Sequence, residues 1–185
     1  MRFLAGLASW LALGAWLVAL PLAPRPPRCE GAFPLTVSEL VCEPRLAVTT
    51  WCLAAAGIAA LAREAGAQSR ILFVGYAASW AALLFLDWCS RPLPHCVALL
   101  CAVAFGIAAM RCMSREAPAT RGVVGASVSA AAALLSMAGL CAAARVGPDP
   151  LVYVLEACAV LAAHVPSWAT VLVVRPSAWA ASPRG

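Results

Sequence analysis

The sequence predicts an all-α membrane protein, a six-helix transmembrane bundle with both termini on the cytoplasmic side, N-in and C-in, and a luminal loop between helices 1 and 2. Three observations carry this. Hydrophobic residues make up 64% of the 185 positions and charged residues only 11%, too few to cover the surface of a water-soluble globule. Six apolar stretches recur along the chain, each near the ~20 residues that a ~30 Å hydrocarbon core requires. The arginines, which are all thirteen of the basic residues, are unevenly shared between the connections.

The spans run over about 3–22, 46–61, 71–86, 93–110, 122–144 and 151–174. The first opens Met1-Arg2 and then stays apolar beyond the ~7 to 15 residues of a signal-peptide core, with prolines where cleavage needs small residues, so it is read as a retained anchor. The second to fourth are short, which favours a thin bilayer. The connections 63–70, 87–92 and 146–150 are tight hairpins, so the spans that they join should pack as antiparallel neighbours. The fifth is rich in small residues, with Gly125, Ser129 and Ala133 at four-residue spacing, the pattern of a helix at the bundle centre or at a dimer contact. No span is expected to break near mid-membrane and no inverted repeat is visible, which argues against a transporter. Residues 175–185 read as a short cytoplasmic tail, and the whole chain, 1–185, as a single polytopic domain.

Orientation follows from the charges. With the N-terminus inside, Arg2, Arg63, Arg70, Arg111, Arg115, Arg121, Arg175 and Arg184 lie on the cytoplasmic side, eight of the thirteen, against five outside. The tryptophans lie mostly near span ends, as interfacial anchors do.

The first connection is the longest stretch that carries charge without a long apolar run. Cys29 to Arg45 holds Glu30, Glu39 and Glu43, two prolines and two cysteines. On the outside, Cys29, Cys42, Cys89 and Cys96 meet an oxidising compartment; Cys29–Cys42 would close a small loop and Cys89–Cys96 would staple the third hairpin, and spacing does not choose among the pairings. Cys52, Cys101, Cys112, Cys141 and Cys158 read as packing residues, Cys112 at the membrane edge being a palmitoylation candidate.

Ionisable residues inside the spans mark the candidate site, because a carboxylate facing lipid costs on the order of 2.5 kcal/mol or more. Glu156, five residues into the sixth span, should face the bundle. Asp87 ends the third span and His95 opens the fourth, with Arg91 and Arg145 at the same level. Asp87, His95, Arg145 and Glu156 therefore form a candidate intramembrane polar cluster, with Glu39 of the loop folded over it. This is a lipid-headgroup or ligand site, or else a set of structural ion pairs. His164 lies about 80° round the helix from Glu156 and reads as a hydrogen-bonded core histidine. No CxxC, GxSxG, HExxH or glycine-rich phosphate loop occurs, so neither a metal, a cofactor nor a catalytic centre is expected, and nothing points to nucleic acid.

The loop motif Phe33-Pro34-Leu35-Thr36-Val37-Ser38-Glu39, followed by Pro44 just before the second span, resembles the damage-regulated autophagy modulator (DRAM) family and its wider superfamily. Asp87, His95, Phe105-Gly106, Arg121 and Glu156 match in order and position. The resemblance covers about residues 30–174. It departs at Asp87-Trp88, where members show an Asn-Phe-Gln type triplet, and in the continuation after Pro44. It implies a six-span fold and a non-enzymatic multi-pass regulator of autophagy or lipid signalling, with membrane lipids and membrane proteins as partners. The compartment it implies is the endomembrane system (lysosome, Golgi or ER) or the plasma membrane. Golgi members of the superfamily imply a second reading, a GPI-anchor lipid remodelling factor. The lysine-free, alanine-rich composition admits a third, a virus-encoded multi-span protein. The loop, with motif residues Phe33, Pro34, Ser38, Glu39 and Pro44, reads either as a plain connector or, preferred for its prolines and glutamates, as a cap held by Pro34, Pro44 and a Cys29–Cys42 bridge that presents Ser38 and Glu39 over the bundle mouth.

Overall fold

The computed structural model describes residues 2–23, 36–41, 43–83, 85–86, 90–144 and 149–180, apart from the side chains of Ser38, Asp149 and 174–180. Among them there is no strand. The helices are α1 (Arg2–Ala19), extended by a 3₁₀ turn (Leu20–Leu22); α2 (Val37–Leu40); α3 (Pro44–Glu64); α4 (Ala67–Ala82); α5 (Pro92–Glu116); α6 (Arg121–Ala144), entered through a 3₁₀ turn (Pro118–Thr120); α7 (Asp149–His164); and α8 (Pro166–Ala180).

Five stretches are long and apolar enough to cross a membrane: Arg2–Leu22, Pro44–Glu64, Pro92–Glu116, Pro118–Ala144 and Pro150–Val173. The second and fourth spans are longer than hydropathy alone predicts because polar ends extend them. Glu43 caps α3 by accepting from the Leu46 N–H at 2.9 Å, with Pro44 in the first helical position, where its missing N–H costs nothing. The third expected span fares differently. α4 has 16 residues, about 24 Å at ~1.5 Å per residue, and falls short of a full crossing. The last span also departs from expectation, since Pro166 divides it into α7 and α8, and α8 carries helix on to Ala180 through positions expected to belong to the tail.

The expected hairpins form. α4 packs along α5, α6 along α7, and α3 against α4, while α1 lies between α3 and α8. α5 and α6, although joined by a short turn, diverge and touch little. The N-terminal end of the bundle is tied by Arg2 to Glu64 at 3.3 Å and by Glu116. Glu116 ends α5 and accepts from the Gly66 N–H at 2.9 Å and the Ser69 hydroxyl at 2.5 Å, so it fastens the α3–α4 turn.

Of the two places expected for α6, the bundle centre or a dimer contact, the first is not met: Gly125, Ser129 and Ala133 are exposed, and a Cβ added at Gly125 would meet nothing within 4 Å. Its partner α7 buries Val152 and Leu155 against Ala138 instead, leaving the small-residue face outward. The tryptophans also do more than anchor. Trp10 donates to the Leu161 carbonyl at 2.9 Å, Trp16 to the Thr50 hydroxyl at 2.8 Å and Trp51 to the Ala77 carbonyl at 3.3 Å, so each indole spends its one donor on a neighbouring helix. Cys96 is a free thiol, which removes the Cys89–Cys96 staple; Cys52, Cys101, Cys112, Cys141 and Cys158 are free as well.

The last span is interrupted before Pro166 by a single turn residue, Val165, beyond its middle. Proline has no N–H and its ring excludes the carbonyl four residues back, so the turn tightens, with the Val165 N–H on the Ala162 carbonyl at 3.3 Å. Thr170 donates to the Pro166 carbonyl at 2.7 Å. Two glycines let neighbouring helices close on this break. A Cβ at Gly6 of α1 would lie 2.3 Å from the Ser167 carbonyl oxygen, and one at Gly57 of α3 would lie 2.9 Å from the His164 ring.

Gly6→Ala is expected to destabilise the detergent-purified protein by about 1 to 3 kcal/mol through overpacking against fixed backbone, whereas Gly139→Ala, whose Cβ meets open space, should leave the thermal midpoint unchanged or slightly raised. Glu116→Ala should lower the unfolding temperature by leaving the Gly66 and Ser69 donors without their acceptor; an unaltered unfolding temperature would rule out its role as a fastener.

Candidate functional site beneath the cap helix

At the end of the bundle opposite Arg2, a four-residue helix covers a cavity. Thr36 starts it: its side chain accepts from the Glu39 N–H at 2.9 Å, an N-cap that satisfies one of the donors left free at a helix start. Val37 and Leu40 are buried with Leu13, Leu17 and Leu20 of α1 and Tyr153 of α7. Tyr153 in turn donates to the Leu17 carbonyl. α2 is thus seated by apolar side chains on the α1–α7 seam.

The bond that joins it to the bundle is polar. The Val37 N–H donates to Glu156 Oε2 at 2.7 Å. Glu156 therefore faces inward, its carboxylate taking up a backbone donor that would otherwise be stranded at the membrane surface. Glu39, the other carboxylate of the cap, is 1% exposed.

Below α2 lies a cavity of about 90 Å³ lined by Val37, Val41, Thr50, Trp51, Trp80, His95 and Glu156, among others. His95 is buried, and its Nδ1 lies 2.5 Å from the Leu86 carbonyl, which assigns the ring's proton to that nitrogen. The Trp80 indole N–H is buried with no hydrogen-bond partner within 3.5 Å, Tyr76 standing edge-on to its ring at 6.4 Å. Residues that carry a carboxylate, an imidazole, a hydroxyl and an indole therefore line a mainly apolar space, the Thr50 hydroxyl being already engaged by Trp16 and the Leu46 carbonyl. Such a set can orient a polar group attached to a hydrocarbon body. Among the described residues no three His, Cys, Asp or Glu side chains converge as a metal-ligand set.

Of the residues expected at this site, His95 and Glu156 line one cavity, Glu39 lies in the cap above it, and Pro44 opens α3. Ser38 occupies the cap helix. Asp87, Arg145, Phe33, Pro34, Cys29 and Cys42 lie outside the described residues. Arg91, expected at the same level, is exposed. His164 is fully buried at the α7–α8 break, its Nδ1 donating to the Val160 carbonyl at 2.8 Å and its Nε2 without a partner; it is a core residue at one nitrogen only. Sequence reasoning did not single out Thr50, Trp80 or Tyr153. Trp80 could have been found from its place one turn after Tyr76 on the short fourth helix. No protein-family model matches the chain, and no curated protein or solved structure is significantly similar to it.

If Glu156 holds the cap, Glu156→Leu should speed hydrogen exchange of the Val37 amide roughly tenfold or more, the equivalent of the ~1.5 kcal/mol of a hydrogen bond to a charged acceptor. Glu156→Gln, which keeps an acceptor oxygen, should fall between Glu156→Leu and the parent. Equal exchange in all three would show that apolar packing alone seats α2.

Proposed function

We propose that the chain is a non-enzymatic multi-pass membrane regulator of the DRAM type, acting on the lumen-facing side of an endomembrane by binding a lipid headgroup or small polar ligand beneath its cap. The observation that carries this reading is the Val37–Glu156 bond. It joins the loop motif and the glutamate of the last span, two features on which the family resemblance rests, in one structural unit. A bound molecule competing for Glu156 would release the cap, changing the surface offered to membrane-protein partners; a ligand acts on such a two-state element only by preferring one state.

Among the described residues, the wall of the cavity is mainly apolar with a few polar groups, the make-up of a ligand pocket.

In cells, raising or lowering the level of the intact chain should change autophagic flux. Glu156→Leu and the double replacement Ser38→Ala with Glu39→Ala should abolish that response at normal abundance and membrane insertion. Full activity of both variants would discard the cap reading. Unchanged flux together with loss of surface GPI-linked proteins on deletion would favour the remodelling alternative instead.

A further inference from the structure

The divergence of α5 from α6 leaves a continuous cleft between the α4–α5 pair and the α6–α7 pair. Its middle is a cavity of about 150 Å³ walled by apolar groups, among them Ala102, Gly106, Ala131, Ala132, Leu135 and Ala159. Towards the N-terminal end it shares Ile107, Met110 and Val128 with a wider space of about 610 Å³, whose remaining walls include Arg111, Arg115 and Arg121.

These three arginines lack acidic partners among the described residues, where the only ion pair is Arg2–Glu64. The other carboxylate at this end, Glu116, is engaged with Gly66 and Ser69 on the far side of α5. Arg121 is held across the turn by its Nε–H on the Ser114 carbonyl at 3.2 Å, which uses one of its five donors. The guanidinium groups of Arg111 and Arg115 are exposed, one helical turn apart on α5. Three cations thus converge on the mouth of an apolar crevice.

The dimensions fit one leaflet. From Arg111 to Leu99, which lines the inner end of the apolar cavity, is twelve residues of α5, about 18 Å at ~1.5 Å per residue. Half of a ~30 Å hydrocarbon core is about 15 Å.

We propose that this cleft is a binding site for an anionic glycerophospholipid, whose phosphate sits on Arg111, Arg115 and Arg121 and one of whose acyl chains lies along the crevice towards Leu99. Guanidinium forks match phosphate oxygens in pairs, and basic pockets between spans on the cytoplasmic side select anionic headgroups. The eight-arginine side is the one that orientation rules assign to that leaflet. The arginine end of this site shares no lining residue with the cavity beneath the cap, and its test does not involve Glu156.

The test is native mass spectrometry of the full chain in dodecyl maltoside with dioleoyl phosphatidylserine, dioleoyl phosphatidylcholine or soluble glycerophosphoserine. The intact protein should retain phosphatidylserine at concentrations at least fivefold below those needed for phosphatidylcholine, and should not retain glycerophosphoserine. The triple variant Arg111→Gln, Arg115→Gln, Arg121→Gln should bind phosphatidylserine no better than phosphatidylcholine. Ala132→Phe, which fills the crevice, should weaken retention of both lipids. Equal retention of the two lipids by the intact chain would overturn the proposal without recourse to any variant. So would binding of glycerophosphoserine as strongly as the lipid, which would mean a headgroup site with no chain in the cleft, or undiminished phosphatidylserine retention by folded Ala132→Phe, which would mean surface attraction alone.

Discussion

The interaction on which the bundle depends is the closure of α1 and α3 around the break at Val165 and Pro166. In hydrocarbon, backbone groups that lose their helix partners have no water to turn to, so a proline about two-thirds of the way along the last span must be surrounded by protein. The chain meets this with small residues and side-chain donors. Gly6 and Gly57 admit the Ser167 carbonyl and the His164 ring, the Trp10 indole takes the Leu161 carbonyl, and Thr170 takes that of Pro166. Trp168 lies edge-on to Phe3 and Trp10 at 6.0 and 6.1 Å, which completes the enclosure. With α1 locked there, its other end is free to meet α7 through Leu13, Leu17 and Tyr153 and to form the seat for the cap.

Hydropathy located the five stretches long and apolar enough to cross a membrane, because the lipid-facing composition that it averages is the dominant physical demand on them. It placed helix ends poorly, since the ends are set by caps and polar extensions such as Glu43, Arg63 and Glu64. It also passed over Pro166, one residue in an apolar stretch that reads as continuous when averaged. The inward direction of Glu156 was legible from the cost of a carboxylate in lipid, but its partner was not: a backbone N–H carries no side-chain signature. The small residues of the fifth span allowed two places, the bundle centre or a dimer contact, and only the centre is ruled out within one chain. Small size permits close approach without requiring it, and whether α6 meets another helix depends on where α5 goes.

The path of α5 explains why the molecule has features at both ends. Because it pairs with α4 while α6 pairs with α7, the short turn at residues 117–120 joins two units rather than one hairpin. The arginines gather where those units part, and the cavity beneath the cap lies where they meet α3 and the cap helix. Trp80, Leu99, Leu135 and Val160 stand in the walls of both the cavity beneath the cap and the apolar cleft, so the two spaces are neighbours separated by side chains and not by backbone.

That shared wall offers one route to Glu156. A molecule that came through it would pass side chains from the bilayer side, and would first have to dissolve in lipid. Its supply is then governed by a partition coefficient and not by its aqueous concentration. Each additional methylene on the entrant, worth about 0.8 kcal/mol of transfer, enriches it roughly fourfold before any contact with the protein is made.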